Sequence, residues 1–479
     1  MSCIALKGKL QYFLETLESI EDALPSLRKN LRDEYYKKNK NCDDFIETNA
    51  KDIERNEDGK IIRFSIHRSE SYQFKRIKKE RDKSIKLSLV IPNNLLVAIV
   101  SEYDAFLGDL IREIYNSKPE SVHGFGKEFS FKEIIEFGSI DALKEHVIEK
   151  DIESILRNSH LEQIHTLEKK FNIELTKGLD ILPSFIEITE RRNLFVHCKG
   201  IVSSQYIKVC TENNVQLDNI TVGKKLYASN DYIFKAINIF SEMAIKLTHV
   251  LWNKIFKEDR KHIEKSIHDI SYETLDRGKY ELVIAISPLF LSKSFNSIGE
   301  VVKRTALINY CIALKENGNK KASDRLLDEY DWTACDPAFK MAEKILREDY
   351  KTAAAYMKKS YDMGDLQKED IDQWPLFLQF RKTDEFKELY DLLFGKEEAI
   401  NITLVDEDSQ TKEAEAEVQA QETAEVQAQE TAEVQARETA EVQVQETAEA
   451  QAMLSTEKSQ QATSQTMDYT KQDSAINAM

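Results

Sequence analysis

The chain has 479 residues, room for about three domains at the usual ~150 residues each. Only 7 are proline and 14 glycine, 21 of 479 or 4.4%, against a usual share near ~12%, which disfavours propellers, sandwiches and tight α/β units and points to long helices. The net charge of −17 is uneven: residues 397–479 hold 19 acidic and 4 basic side chains (−15), leaving 65 acidic and 63 basic (−2) elsewhere, so whole-chain charge neither supports nor excludes a nucleic-acid partner.

The N-terminal stretch places Leu10, Phe13, Leu17, Ile20, Leu24, Leu27 and Leu31 at a 3-4 spacing, a seam for another helix in its own domain or in a second chain. Pro25 lies inside the pattern and predicts a kink or the start of a second helix. Residues 40–87 read as polar and irregular, with a short hairpin in NEDGKIIRFSI and a basic run that includes Lys75, Arg76, Lys78 and Lys79. Helix is predicted from Ile91, where Pro92 and Asn93-Asn94 precede a run with apolar residues at helical spacing from Leu95 to Ile114. Ser130 with Glu133 and Ser159 with Glu162 read as capping boxes. Pro183 opens a further helix that ends towards Gly200. Ser229, Asn230 or Asp231 caps the long helix beyond it.

Residues 260–396 are again helical. ALKENGNKKA (313–322) and KILREDYKTA (344–353) echo one another at an offset of 31, which suits either tetratricopeptide-like stacked hairpins or an ordinary helical domain. The tail repeats AEVQAQET with a period of eight from Ala416 to Thr447, a period that cannot keep its valines on one helical seam. With one aromatic residue after Glu397, Tyr469, the tail is expected to be disordered or a solvated, transient helix.

The six cysteines form no CxxC pair, so zinc is not expected and the thiols fit a reducing cytoplasm. MSCIALKGKLQYF lacks the features of a secretory signal. The apolar runs at 95–100 and 282–291 fall short of the ~18 residues of a membrane span, so no membrane partner and a cytoplasmic location are expected.

One cluster carries chemistry: Glu190-Arg191-Arg192-Asn193-Leu194-Phe195-Val196-His197. On a helix Asn193 and His197 share a face, whereas Arg192 and His197 lie about 140° apart. They converge best if the helix faces its own copy across a two-fold axis, so a homodimer is expected. Such a set suits cleavage of RNA without metal or other cofactor. His197 can move protons near neutral pH, Arg192 can fork onto phosphate oxygens, and Asn193 can orient the histidine or bond the phosphate.

Arg192, four residues, then His197, with Asn193 behind the arginine, resembles the R-x4-H motif of the HEPN superfamily, and the later Gly200 and Tyr206 suit one variant of it. The resemblance covers about residues 88–256. It implies an all-α, often dimeric domain and a metal-independent endoribonuclease of toxin–antitoxin or phage-defence type. The preceding helix with Glu102 and Asp104 is similar to the first helix of that fold; Glu102, Glu190 and Tyr206 are the expected supporting residues, and Arg191 with the lysine run the expected RNA contacts. Lys199 departs from the R-x4-H-x-Y subclass, which removes support for tyrosine nucleotidylation there.

The expected organisation is all-α: an N-terminal helical and basic segment (1–87), a HEPN-like bundle (88–256), a helical-repeat-like domain (257–396) that can take a protein partner, and an acidic low-complexity tail (397–479). The alternative to the ribonuclease is a non-catalytic module in which the bundle dimerises or binds RNA and the repeats hold a partner. HGFGKEF (123–129) reads as a turn rather than a phosphate loop, since no strand precedes it and it lacks the GK(S/T) arrangement, and His160 with His165 reads as a surface pair lacking carboxylate partners.

Overall fold

Two very long helices open the chain in the computed structural model, which describes residues 2–56, 59–119 and 129–395. The tail and most of HGFGKEF lie outside those residues. Helix α1 (Ser2–Asn49) passes through Pro25 without a break. A proline inside a helix costs one hydrogen bond and a clash, about 3 kcal/mol. Pro25 itself is exposed, and burial of Leu6, Leu10, Phe13, Leu17 and Leu24 on the opposite side offsets that cost. Strands β1 (Ala50–Arg55) and β2 (Ile61–Ile66) then form an antiparallel hairpin, Ala50 facing Ile66 and Arg55 facing Ile61.

Helix α2 (Ser71–Ser117) returns along α1 and runs straight through Pro92. The expected irregular stretch at 40–87 is therefore helical at both ends around a hairpin, and no helix begins at Ile91. Asn93 lies inside the helix rather than ahead of it. Its side chain caps a distant segment, accepting from the Ala228 amide at 2.8 Å. By composition Arg68–Ser117 is long and apolar enough to cross a membrane, although no single uninterrupted apolar run in it is; 22% of its apolar 18-residue stretch is buried in this fold, and one face of its second half, including Leu96, Ile99, Tyr103, Leu107 and Ile111, lies in the core.

Short helices α3 (Phe131–Glu136), α4 (Ile140–Leu156) and α5 (His160–Phe171) follow. The boxes at Ser130/Glu133 and Ser159/Glu162 cap α3 and α5 reciprocally, as the local spacing dictates. Helix α6 (Leu182–His197) starts at Pro183, and α7 (Ser204–Glu212) packs across its end. Helix α8 (Asn230–Ile255), capped by Ser229, is the axis of the bundle: fifteen of its residues are buried, so it must be covered on nearly every side.

The remaining helices form hairpins. Helices α9 (Arg260–Asp276) and α10 (Tyr280–Leu291), α11 (Glu300–Glu316) and α12 (Lys320–Asp328), and α13 (Pro337–Leu346) and α14 (Tyr350–Asp362) are joined by one kind of turn. In each, an amide just past a left-handed residue (Gly278, Gly318 or Glu348) bonds the carbonyl five residues back: Lys279 to Thr274, Asn319 to Leu314 and Asp349 to Lys344. The echo in the sequence is thus the second and third turns, in register at 30 rather than 31, and the α9–α10 turn is a further copy with a different sequence. Helices α15 (Lys368–Gln373) and α16 (Asp384–Phe394) close this end.

The fold is all-α apart from the hairpin. Its hydrophobic cores do not follow the boundaries expected at 87 and 256. The first joins the front of α1 and the back of α2 to α4–α6, α8, α9 and α10. Lys7–Asp269 (2.5 Å) and Arg277–Asp22 (2.9 Å) reinforce that join. The second core runs from Leu275 to Leu389. Residues 25–49 and 71–94 belong to neither core and leave the bundle as a paired arm.

Candidate functional site

The end of α6 is fixed by a small separate core in which Leu194 packs with Val202, Tyr206, Cys210 and Leu226. Gly200 is required in this turn. Its φ is +82°, and a Cβ there would stand 2.7 Å from the Leu226 carbonyl oxygen. The Gly200 amide bonds back to the Leu194 carbonyl at 2.9 Å, which stops the helix just after His197.

The adjacent arginines on α6 point into different networks. Arg191 is held inside, its side chain 13% exposed against Glu187 at 10%. Its Nε donates to Glu187 Oε1 at 2.8 Å, and its guanidinium lies 4.1 Å from the Tyr232 ring centre. Tyr206 donates to the same Glu187 oxygen at 2.6 Å and Tyr232 to the other at 2.5 Å. Burial raises the pKa of both phenols, with the Glu187 carboxylate adding to it, so both stay protonated donors. Arg191 and Tyr206, expected at an RNA surface and beside the motif, thus share Glu187 as a structural clasp among α6, α7 and α8.

Arg192 turns towards α2. Its Nη2 donates to Asp104 Oδ2 at 2.8 Å and its Nη1 to Asn193 Oδ1 at 3.2 Å. Asn193 donates in turn to Glu190 Oε1 at 3.3 Å. Burial pushes the Glu190 carboxyl above its ordinary value, opposed by His160, Asn193 and Arg192 nearby. The second Asp104 oxygen lies 3.0 Å from Nε2 of His160, but off the line of a hydrogen bond, so both atoms are buried without one. Nε of Arg192 is also buried and unbonded. A chain of polar groups therefore runs Glu190, Asn193, Arg192, Asp104, His160, with bonding capacity to spare.

His197 is exposed, one turn past Asn193, and has no hydrogen-bond or ion-pair partner among the described residues. Beside it Val196, Ile201 and Val222 are exposed apolar side chains. Among the described residues it is Asp104, and not Glu102, that makes a hydrogen bond to the motif. Two residues apart, they lie about 200° apart on α2, so only one can face α6.

His160 is not the surface residue that the sequence suggests. It is 7% exposed, and its ring packs edge-on to Phe185. Periodicity could have found it, since His160, Ile164 and Leu167 share the buried face of α5. Its former partner His165 is exposed but does meet a carboxylate, Glu168, at 2.9 Å. Lys75, Arg76, Lys78 and Lys79 are exposed on the arm. Along α2, Lys79 is about 38 Å from Asp104 at 1.5 Å per residue, so the basic run is remote from the motif.

Comparison with protein-family models, with curated proteins and with solved structures finds no match to this chain.

Proposed function

We propose that the end of α6 is the active site of a metal-independent endoribonuclease of toxin or phage-defence type, assembled from two copies of the chain. The observation that carries this reading is the pairing of an exposed, unpartnered His197 with an Arg192 oriented by Asp104. An attacking 2′-hydroxyl gives its proton to one imidazole. The bond from phosphorus to the 5′-oxygen then breaks, and that oxygen takes a proton from the second imidazole. The products are a 2′,3′-cyclic phosphate and a 5′-hydroxyl. Arg192 holds the non-bridging oxygens as charge builds on them. The apolar rim of Val196, Ile201 and Val222 supports self-association at this end.

The exposed lysines of the arm would touch RNA only several nucleotides from the scissile bond, so they bear on affinity and salt dependence rather than on chemistry. One observation favours the alternative, a non-catalytic module: Arg192 is only 19% exposed and committed to Asp104, as a purely structural arginine would be. Incubating the protein with total RNA in EDTA separates the two. Cleavage that His197→Ala abolishes in a folded protein supports the enzyme; intact RNA supports the module.

A further inference from the structure

A groove of about 830 Å³ lies beside the first core, walled by α8, α10 and the loop at 172–179 and open on its remaining side. The apolar part of its lining is formed by half-exposed Val250 on α8, over the buried Met243 and Leu247 of the same face, and by Pro288 and Leu289 of α10, with Asn172, Asn253 and Ser294 as polar neighbours. The rim is basic. Lys177, Lys246, Lys254 and Lys257 line it against one acid, Glu174. Lys177 is paired with Glu174 at 3.0 Å and Lys246 with Glu242 at 2.5 Å. Lys254 and Lys257 are exposed with no ion-pair partner among the described residues, so the groove carries unneutralised positive charge at one end.

The size fits a helix. A helix about 10 Å across has a cross-section near ~80 Å², so this volume takes roughly 20 Å of helix sunk to half its depth, about 14 residues. An apolar floor with a charged edge is how a groove receives the apolar face of an amphipathic helix. A polyanion would use the lysines and leave the floor uncovered.

We propose that this groove docks an acidic amphipathic helix of a partner protein, with apolar side chains on the α8 floor and carboxylates towards Lys254 and Lys257. The proposal is independent of the chemistry assigned to α6.

The test uses the full chain and a labelled synthetic helix of about 16 residues, leucine at i, i+4, i+7 and i+11 with glutamate and alanine between, read by fluorescence anisotropy. Saturable micromolar binding is expected. The surface double variant Lys254→Glu/Lys257→Glu should weaken it about tenfold with an unchanged melting temperature. Val250→Glu should weaken it as well, scored only if the melting temperature shows a folded protein. A peptide of the same composition with its leucines scattered around the helix should not bind. Absence of binding, equal binding of the scattered peptide, or an unchanged Kd in the lysine double variant would overturn the proposal. Displacement of the peptide by excess polyuridine would also overturn it, assigning these lysines to nucleic acid.

Discussion

Arg191 and Arg192 are neighbours in sequence, yet the two faces of α6 they serve are built differently. On the Arg191 side, Glu187 accepts from the arginine and from two phenols, buried Tyr206 and half-buried Tyr232, and the groups enclose one another. On the Arg192 side, Asp104 bonds Arg192 and only approaches His160, and buried atoms on Asp104, His160 and Arg192 are left without hydrogen bonds. A closed network holds helices together. An open one, beside an exposed histidine, has bonds to give to something else. Unsatisfied buried polar groups are rare enough in folded proteins to ask for a reason.

The largest effect expected from breaking this contrast is on the closed side. Glu187→Gln leaves the buried Arg191 charge without its counter-ion and should cost about 3–5 kcal/mol of stability, read by urea unfolding. A loss below about 1 kcal/mol would mean that the clasp does not hold the bundle. Next in size, Arg192→Lys should slow single-turnover RNA cleavage about 30- to 150-fold, a loss of about 2–3 kcal/mol, because an ammonium cannot grip two phosphate oxygens at once.

Any pH profile of the site must be separated from that of His249 on α8. Its Nδ1–H donates to the Ile245 carbonyl at 2.8 Å, so Nε2 accepts from the Ser266 hydroxyl at 3.1 Å, and burial lowers its pKa to about 4. The folded state holds this proton less well than the unfolded chain. The stabilisation is therefore complete above the unfolded value of about 6.5 and is lost as pH falls towards 4. It amounts to about 2 kcal/mol lost by pH 5. His249→Gln should flatten that part of the pH–stability curve, and an undiminished slope would place its origin elsewhere. The smallest effect belongs to Asp104→Asn. Its ion pair with Arg192 is partly exposed, so stability should change by about 1 kcal/mol or less while cleavage falls. Loss of stability with unchanged cleavage would make Asp104 part of the scaffold alone.

What could be read from the sequence is what local chemistry decides. A serine and a glutamate three residues apart satisfy each other's backbone wherever they occur, so the starts of α3 and α5 were visible. The ends of α6 followed from Pro183 and Gly200 in the same way, and the start of α8 from the cluster Ser229, Asn230 and Asp231, of which Ser229 is the cap. Pro25 and Pro92 misled because a local rule was outweighed by the packing of long helices on either side. At the site, the motif on α6 was legible but its surroundings were not. Asp104 lies 88 residues from Arg192, and Tyr206 and Tyr232 lie 19 and 45 from Glu187. Which of two adjacent arginines is enclosed depends on those distant partners, and only His160 had left a periodic trace.

Arg191→Lys and Arg192→Lys, made and measured side by side, test the contrast most directly, with melting temperature and single-turnover RNA cleavage recorded for each. Arg191→Lys should lower the melting temperature by several degrees and leave the cleavage rate of the folded protein near wild type. Arg192→Lys should leave the melting temperature within a degree or two and cut cleavage by one to two orders of magnitude. If both variants lose stability alike and neither loses cleavage, or if the wild-type chain does not cleave RNA, Arg192 is a second clasp and the end of α6 is not an active site.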